Sequence, residues 1–283
     1  MDSIWKDAVL TDDDYKVLRG AVVETPVWGL ASRDVLPTRK IDAGLQIYGY
    51  QTLDSSGSAD TIKPAGDFPA LQLDGTLSSV NIPKIGVAFN VTREDVLSAR
   101  RSGMSLDAKN AEYASRQVQA KENAVIWNGD TKFKIDGVVA DATGAYTSEG
   151  WGGASDNPFE DVRKAWNQVA DEYSDRRMSL VCNRDNYSQL LRKNDYTDMA
   201  YKNMIEEDLN IYPVMDTNYT SGSALLIPEG SDVCEVVIAE DLDMEMEYQS
   251  VQNQVYKGLV YLRSAPVVYV PSAIVAITSI DAD

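Results

Sequence analysis

The sequence predicts an α+β protein, and three observations carry that prediction. Residues 105–127, SLDAKNAEYASRQVQAKENAVIW, place Ala111, Ala114, Val118 and Val125 on one stripe at helical spacing, so a helix of about six turns is expected there. Strand-like runs rich in Val and Ile flank it at 80–91 and 255–278. Between 158 and 209 helical and strand periods alternate, which predicts a second, mixed lobe.

Residues 1–40 read as an arm. Thr11 is placed to cap a short helix with Asp14 at its third position, and Tyr15, Leu18 and Val22 give that helix an apolar side before Pro26 ends it. Trp28, Arg33 and Arg39 follow in a less regular stretch. From 41 to 84, LQIYGYQTL, the polar tip DSSGSAD and FPALQL predict a long hairpin with a flexible Ser/Gly end. Val80–Val91 comes next, and Pro83 and Gly86 mark it as an edge or irregular strand. A loop then leads to the long helix, with Ser105 as its N-cap and Asn128-Gly129 as its stop.

After Gly137 a glycine-rich segment runs to 155 and links to the second lobe. Asn157-Pro158 supplies a cap and a first-turn proline for a helix over Pro158–Tyr173, whose core stripe is Phe159, Val162, Trp166, Val169 and Tyr173. A strand Met178–Asn183, a helix Arg184–Lys193 and a helix Met199–Leu209 follow. Met244, Met246 and Tyr248 alternate with polar residues as a half-buried strand, and 255–278 supplies strands returning to the first lobe.

This order of elements resembles the Hong Kong 97-like capsid fold. The carrying features are the strand, the long spine helix, Ile126-Trp127-Asn128-Gly129 and the short polar stretch to Gly137-Val138. Leu10-Thr11-Asp12-Asp13-Asp14-Tyr15 resembles the opening helix of encapsulins and related capsid proteins. The resemblance covers most of the chain. It implies an N-terminal arm (1–40), an extended E-loop (41–84), a peripheral domain with the spine helix (85–154), an axial domain (155–254) and C-terminal strands (255–283) returning to the peripheral domain.

It also implies a function: a major capsid protein of a tailed virus, assembling with itself as pentamers and hexamers into an icosahedral shell around double-stranded DNA. Portal, scaffold or cement proteins are the implied partners, and the virion, assembled in the host cytoplasm, is the implied location. Expected inter-subunit contacts are Trp28, Arg33, Arg39, Tyr48, Tyr50, Lys63 and Phe68. Arg93, Arg100, Arg101 and Arg116 are expected to face the DNA. Lys63 sits where some members of the fold cross-link Lys to Asn, but no motif supplies an acceptor, so that chemistry is not carried over. The alternative within the same fold is an encapsulin shell around a cargo enzyme, against which the long E-loop speaks.

Composition agrees with a shell and argues against several other classes. The net charge is −18, with Asp outnumbering Glu 30 to 14, and such a surface repels phosphate, so tight or sequence-specific nucleic-acid binding is not expected. An Asp-heavy, Lys-poor surface suits a high-salt host, where repulsion is screened over a few ångströms. The chain has no histidine, which removes His-based triads, Cys-His dyads and the commonest metal ligand. It has no Walker A sequence and no Gly-x-Gly-x-x-Gly. The carboxylate clusters Asp12–Asp14, Glu206–Asp208 and Glu240–Asp243 read as solvated faces, and the expectation is no enzyme, cofactor or metal; a carboxylate hydrolase is the competing class. Cys182 and Cys234 sit in apolar runs as buried reduced thiols. Met1–Thr11 has no signal-peptide core, and Pro266 and Pro271 interrupt the longest apolar stretch, so no membrane segment is expected.

Overall fold

A computed structural model describes residues 12–24, 30–56, 72–102, 109–153, 156–194, 198–250 and 255–280. In chain order the elements are α1 Asp12–Glu24, α2 Ser32–Val35, β1 Thr38–Lys40, β2 Ile47–Ser56, β3 Gln72–Asn81, β4 Lys84–Thr92, α3 Arg93–Ser102, α4 Lys109–Asn128, α5 Val138–Asp141 and β5 Gly144–Thr147. They continue as α6 Pro158–Trp166, β6 Met178–Cys182, α7 Arg184–Leu190, α8 Tyr201–Leu209, β7 Ile211–Met215, β8 Ser223–Pro228, β9 Cys234–Ser250, β10 Val255–Val268 and β11 Val275–Thr278.

Two sheets organise these elements. The first runs β1-β9-β10-β4, with the two long strands antiparallel at its centre. β4 is its edge, as Pro83 and Gly86 predict; a side chain at Gly86 would meet the Val260 carbonyl across the ladder. α4 lies over this sheet because its predicted stripe is apolar: Ala111, Ala114, Val118 and Val125 are buried against Val91, Val260 and Leu262. α1 adds Leu18 and Val22 to the same core. The second sheet runs β5-β11-β8-β6-β7, and every residue of β6 is buried. α6 and α8 supply Val162, Ala165 and Ile205 to its core. A third cluster, including Trp127, Val181, Leu225, Val236 and Ile274, is shared between the two lobes and joins them.

The turn after α4 is set by two glycines. Gly129 has φ of 75°, and Asp130 and Ile135 form a β-bridge that brings Gly137 back against it. A Cβ on Gly137 would run into the Trp127 carbonyl and the Gly129 amide, and one on Gly129 into the Ile135 carbonyl. The spacing of Trp127, Gly129 and Gly137 therefore reflects a close crossing of backbone that only glycine permits.

Four expectations are corrected. Residues 93–102, expected as part of a loop before the spine helix, form the helix α3. Thr92 and Asp95 cap it reciprocally, with Thr92 N donating to Asp95 Oδ2 at 2.9 Å and Asp95 N to Thr92 Oγ1 at 3.3 Å. α6 stops at Trp166 instead of Tyr173, because the amides of Gln168 and Val169 tighten onto the carbonyls three residues back; Val169 still reaches the core, from that turn. α7 likewise ends at Leu190 and not Lys193, where the amides of Leu191 and Arg192 bond three residues back. β11 does not return to the first sheet with β10; it enters the second, parallel to β5 and antiparallel to β8. The break at Pro271–Ala273 makes that change of sheet possible. Thr11, the E-loop tip and Ser105 lie outside the described residues.

Candidate assembly surfaces

β2 and β3 form a ribbon of ten facing pairs, from Ile47 opposite Asn81 to Ser56 opposite Gln72, and among the described residues neither strand pairs with any other. Successive side chains turn to opposite faces. Tyr48, Tyr50 and Val80 pack at the ribbon base on Ile82, Val237, Ala265 and Val267. On the other face Ile47 is 58% exposed and Leu77 82%.

The ribbon base is anchored by a small polar cluster. The Tyr50 and Tyr269 rings meet edge to face at 5.4 Å. Tyr269 donates its hydroxyl proton to Glu235, a carboxylate buried on β9, and Arg39 reaches the same carboxylate at 3.1 Å. Arg39 also donates to the Tyr48 hydroxyl at 3.0 Å. Burial pushes the Tyr269 phenol up, and the Glu235 carboxylate acts in the same direction.

The arm is fixed on the spine helix by charge. Arg33 on α2 forks onto Glu122, with Nη2 to Oε1 at 2.8 Å and Nε to Oε2 at 3.0 Å, and reaches Asp241 at 2.9 Å. Ser264 on β10 donates to the same Glu122 at 2.6 Å. Burial lowers the Arg33 pKa, but Glu122 and Asp241 together outweigh it and hold the guanidinium above its ordinary range. Arg33 is therefore satisfied within its own chain.

A second anchor has no cation among the described residues. Asp216, fully buried after β7, accepts from Ala31 N at 3.0 Å, from Asn123 Nδ2 at 2.9 and 3.0 Å, from Trp127 Nε1 at 2.9 Å and from Asn218 N at 2.8 Å. One carboxylate thus ties the arm, the spine helix and the second lobe. Sequence reasoning did not single it out. Its only local signal is an acidic residue directly after the apolar run of β7.

Of the predicted contact residues, the structure brings together Arg39, Tyr48 and Tyr50, and places Arg33 apart from them on Glu122 and Asp241; Trp28, Lys63 and Phe68 lie outside the described residues. Arg93, Arg100 and Arg101 fall on α3 and Arg116 on α4, and the Arg101 and Arg116 side chains are exposed. Asp241 and Asp243 are ion-paired to Arg33 and Arg19, and Glu240 and Glu206 lie 3.6 Å from Arg263 and Lys202. Among the described residues no group of acidic, Cys or His side chains is arranged to hold a metal. Cys182 and Cys234 are free and buried, and burial pushes both thiols up to about 12. No described helix is long and apolar enough to cross a membrane.

A spine helix over one sheet, a second mixed lobe and a projecting two-stranded ribbon define a shell protomer of the Hong Kong 97-like capsid fold. Solved structures agree. The chain is similar to a solved structure from Mycobacterium phage Bobi with a TM-score of 0.70 at 13% identity, covering 95% of this chain and 98% of that one. It is similar to the capsid of Myoviridae phage XM1 with a TM-score of 0.69 at 12% identity over 89% and 92%. It is also similar to a virus-like particle from Pyrococcus furiosus with a TM-score of 0.64 at 16% identity over 93% and 98%. No curated protein matches the sequence. The chain belongs to the family described as encapsulating protein for peroxidase, which matches residues 59–260. Fold and family alike are those of structural shell proteins, not enzymes.

Proposed function

We propose that this chain is the major capsid protein of a tailed virus, closing an icosahedral shell around double-stranded DNA. The observation that carries the reading is the ten-pair ribbon. An isolated two-stranded ribbon is marginal in water and leaves both edges unpaired, so its length and its exposed Ile47 and Leu77 make sense once a neighbouring copy covers it. Arg39, Tyr48 and Tyr50 then belong to the contact between copies, with Trp28, Lys63 and Phe68 from the arm and the E-loop tip. Arg101 and Arg116, with Arg93 and Arg100, face the genome. By the chain's resemblance to tailed-virus capsids, the genome is driven in by a motor at a portal, so a wall of net charge −18, with little attraction for DNA, is compatible with packaging. Scaffold or cement proteins complete the assembly in the cytoplasm of a host living at high salt.

The family match favours a second reading, an encapsulin shell around a cargo enzyme. Particles purified from the native source decide between them. Nuclease-protected DNA of uniform genome length supports the capsid, whereas particles free of DNA and holding a co-purifying enzyme support the compartment. A chain that stays monomeric at low and at multimolar salt overturns both.

A further inference from the structure

The ribbon separates two surfaces of opposite character, and their complementarity points to a specific contact between copies. On one side lies a cleft of about 980 Å³ between the ribbon base and the second lobe. Tyr48, Tyr50 and Tyr269 line it on the ribbon side, and Asp171 and Glu172 on the other. Both of these carboxylates are exposed, and neither makes an ion pair among the described residues. Asp232, also at the cleft, is held by Arg176 at 2.7 Å. Arg39 on the cleft wall is committed to Glu235 and Tyr48.

On the other side lies the turn Thr131–Lys134, joining the bridge partners Asp130 and Ile135. All four turn residues are exposed, Phe133 by 42%, and the Lys132 ammonium lies 5.6 Å from its ring centre. Lys134 holds φ of 53° and makes no ion pair among the described residues; the nearby Asp130 is paired with Lys121 at 3.2 Å. In a chain of net charge −18, this Lys-Phe-Lys knob is an exception. The Phe133 carbonyl accepts from Asn81 Nδ2 at 3.0 Å, and Asn81 faces Ile47 on the ribbon, the face opposite to that of Tyr48 and Tyr50.

We infer that the Lys132–Lys134 turn of one copy docks into the Tyr48–Asp171–Glu172 cleft of the next. The two patches differ and lie on opposite faces of one ribbon. Their union is head-to-tail, the kind of contact that repeats around a ring and cannot satisfy itself in an isolated pair. Tyrosine faces receive Phe133 and an ammonium, and the free carboxylates receive the second lysine. This inference rests on self-assembly and names the contact that performs it.

The test is charge exchange, with shells scored by electron microscopy and sedimentation at moderate salt. The full chain carrying Lys132→Glu and Lys134→Glu is expected to lose closed shells while keeping the parent's thermal unfolding, because the turn is exposed. Asp171→Lys with Glu172→Lys is expected to do the same. Combining all four substitutions restores the pairing with its sign inverted, and shells return. Either double variant assembling as the parent does overturns the contact, and so does failure of the four-fold variant to assemble. A parent chain that forms no shells overturns the shell reading itself, and this contact with it.

Discussion

The second lobe's sheet, of mixed parallel and antiparallel pairings, and the antiparallel E-loop ribbon are stabilised in different places. In the sheet, β6 is buried along its whole length, with partners on both sides and helices above it. The ribbon buries only its base and has a single pairing. The sheet carries its stability within one protomer, whereas the ribbon, a lone two-stranded pairing, finds little of its own there.

The sharpest way to break that contrast is to damage the frame. Gly137→Ala drives a methyl into the Trp127 carbonyl and the Gly129 amide, and a loss of about 4 kcal/mol or more is expected, seen as insoluble protein or a collapsed urea midpoint. Asp216→Ala is next. It strands the Trp127 indole and the Asn123 amide in a dry interior, and about 3 kcal/mol of stability is expected to go, measured by urea unfolding of the monomer.

The surface pair Arg176 and Asp232 sets the scale for an exposed interaction. The hydrogen bond from Arg176 holds the Asp232 carboxyl below its usual 3.8. The folded pKa is depressed, so the contribution is present above about pH 4 and is lost as pH falls through the lower, folded value. Both partners are well exposed, so Asp232→Asn is expected to cost only about 0.5 kcal/mol at pH 6, a difference from the parent that shrinks as pH falls through the depressed, folded pKa. The smallest effect on the monomer belongs to the ribbon: Leu77→Asp, at a position 82% exposed, is expected to shift monomer stability by less than about 0.5 kcal/mol while lowering the yield of shells. If Leu77→Asp destabilises the monomer as much as Asp216→Ala does, the ribbon is part of the frame and the contrast fails.

Local signals in the sequence were enough for the elements whose causes are local. The stripe of α4, the Asn157 cap of α6, whose side chain accepts from Glu160 N, and the two arms of the ribbon all follow from spacing and cap chemistry. The Thr92–Asp95 box was equally legible and went unread. Strand order was not legible. β11 joins β5, some 130 residues earlier, by backbone pairing that leaves no mark on side-chain period. Nor was the Asp216 centre, whose donors lie at Ala31, Asn123 and Trp127 and converge only after both lobes have packed. At the assembly surfaces Tyr48 and Tyr50 were within reach of pattern reading. Asp171 and Glu172 were not, because the expected helix had put them inside α6, away from any cleft.

The position of β11 also bears on when a newly made chain becomes competent. This strand lies between β5 and β8, so everything up to residue 274 can leave the ribosome with one strand of the second sheet still detached from the others. The shared interior containing Ile274 stays open for the same interval. Until β11 has been made, β5 has no partner among the described residues and the second sheet cannot close.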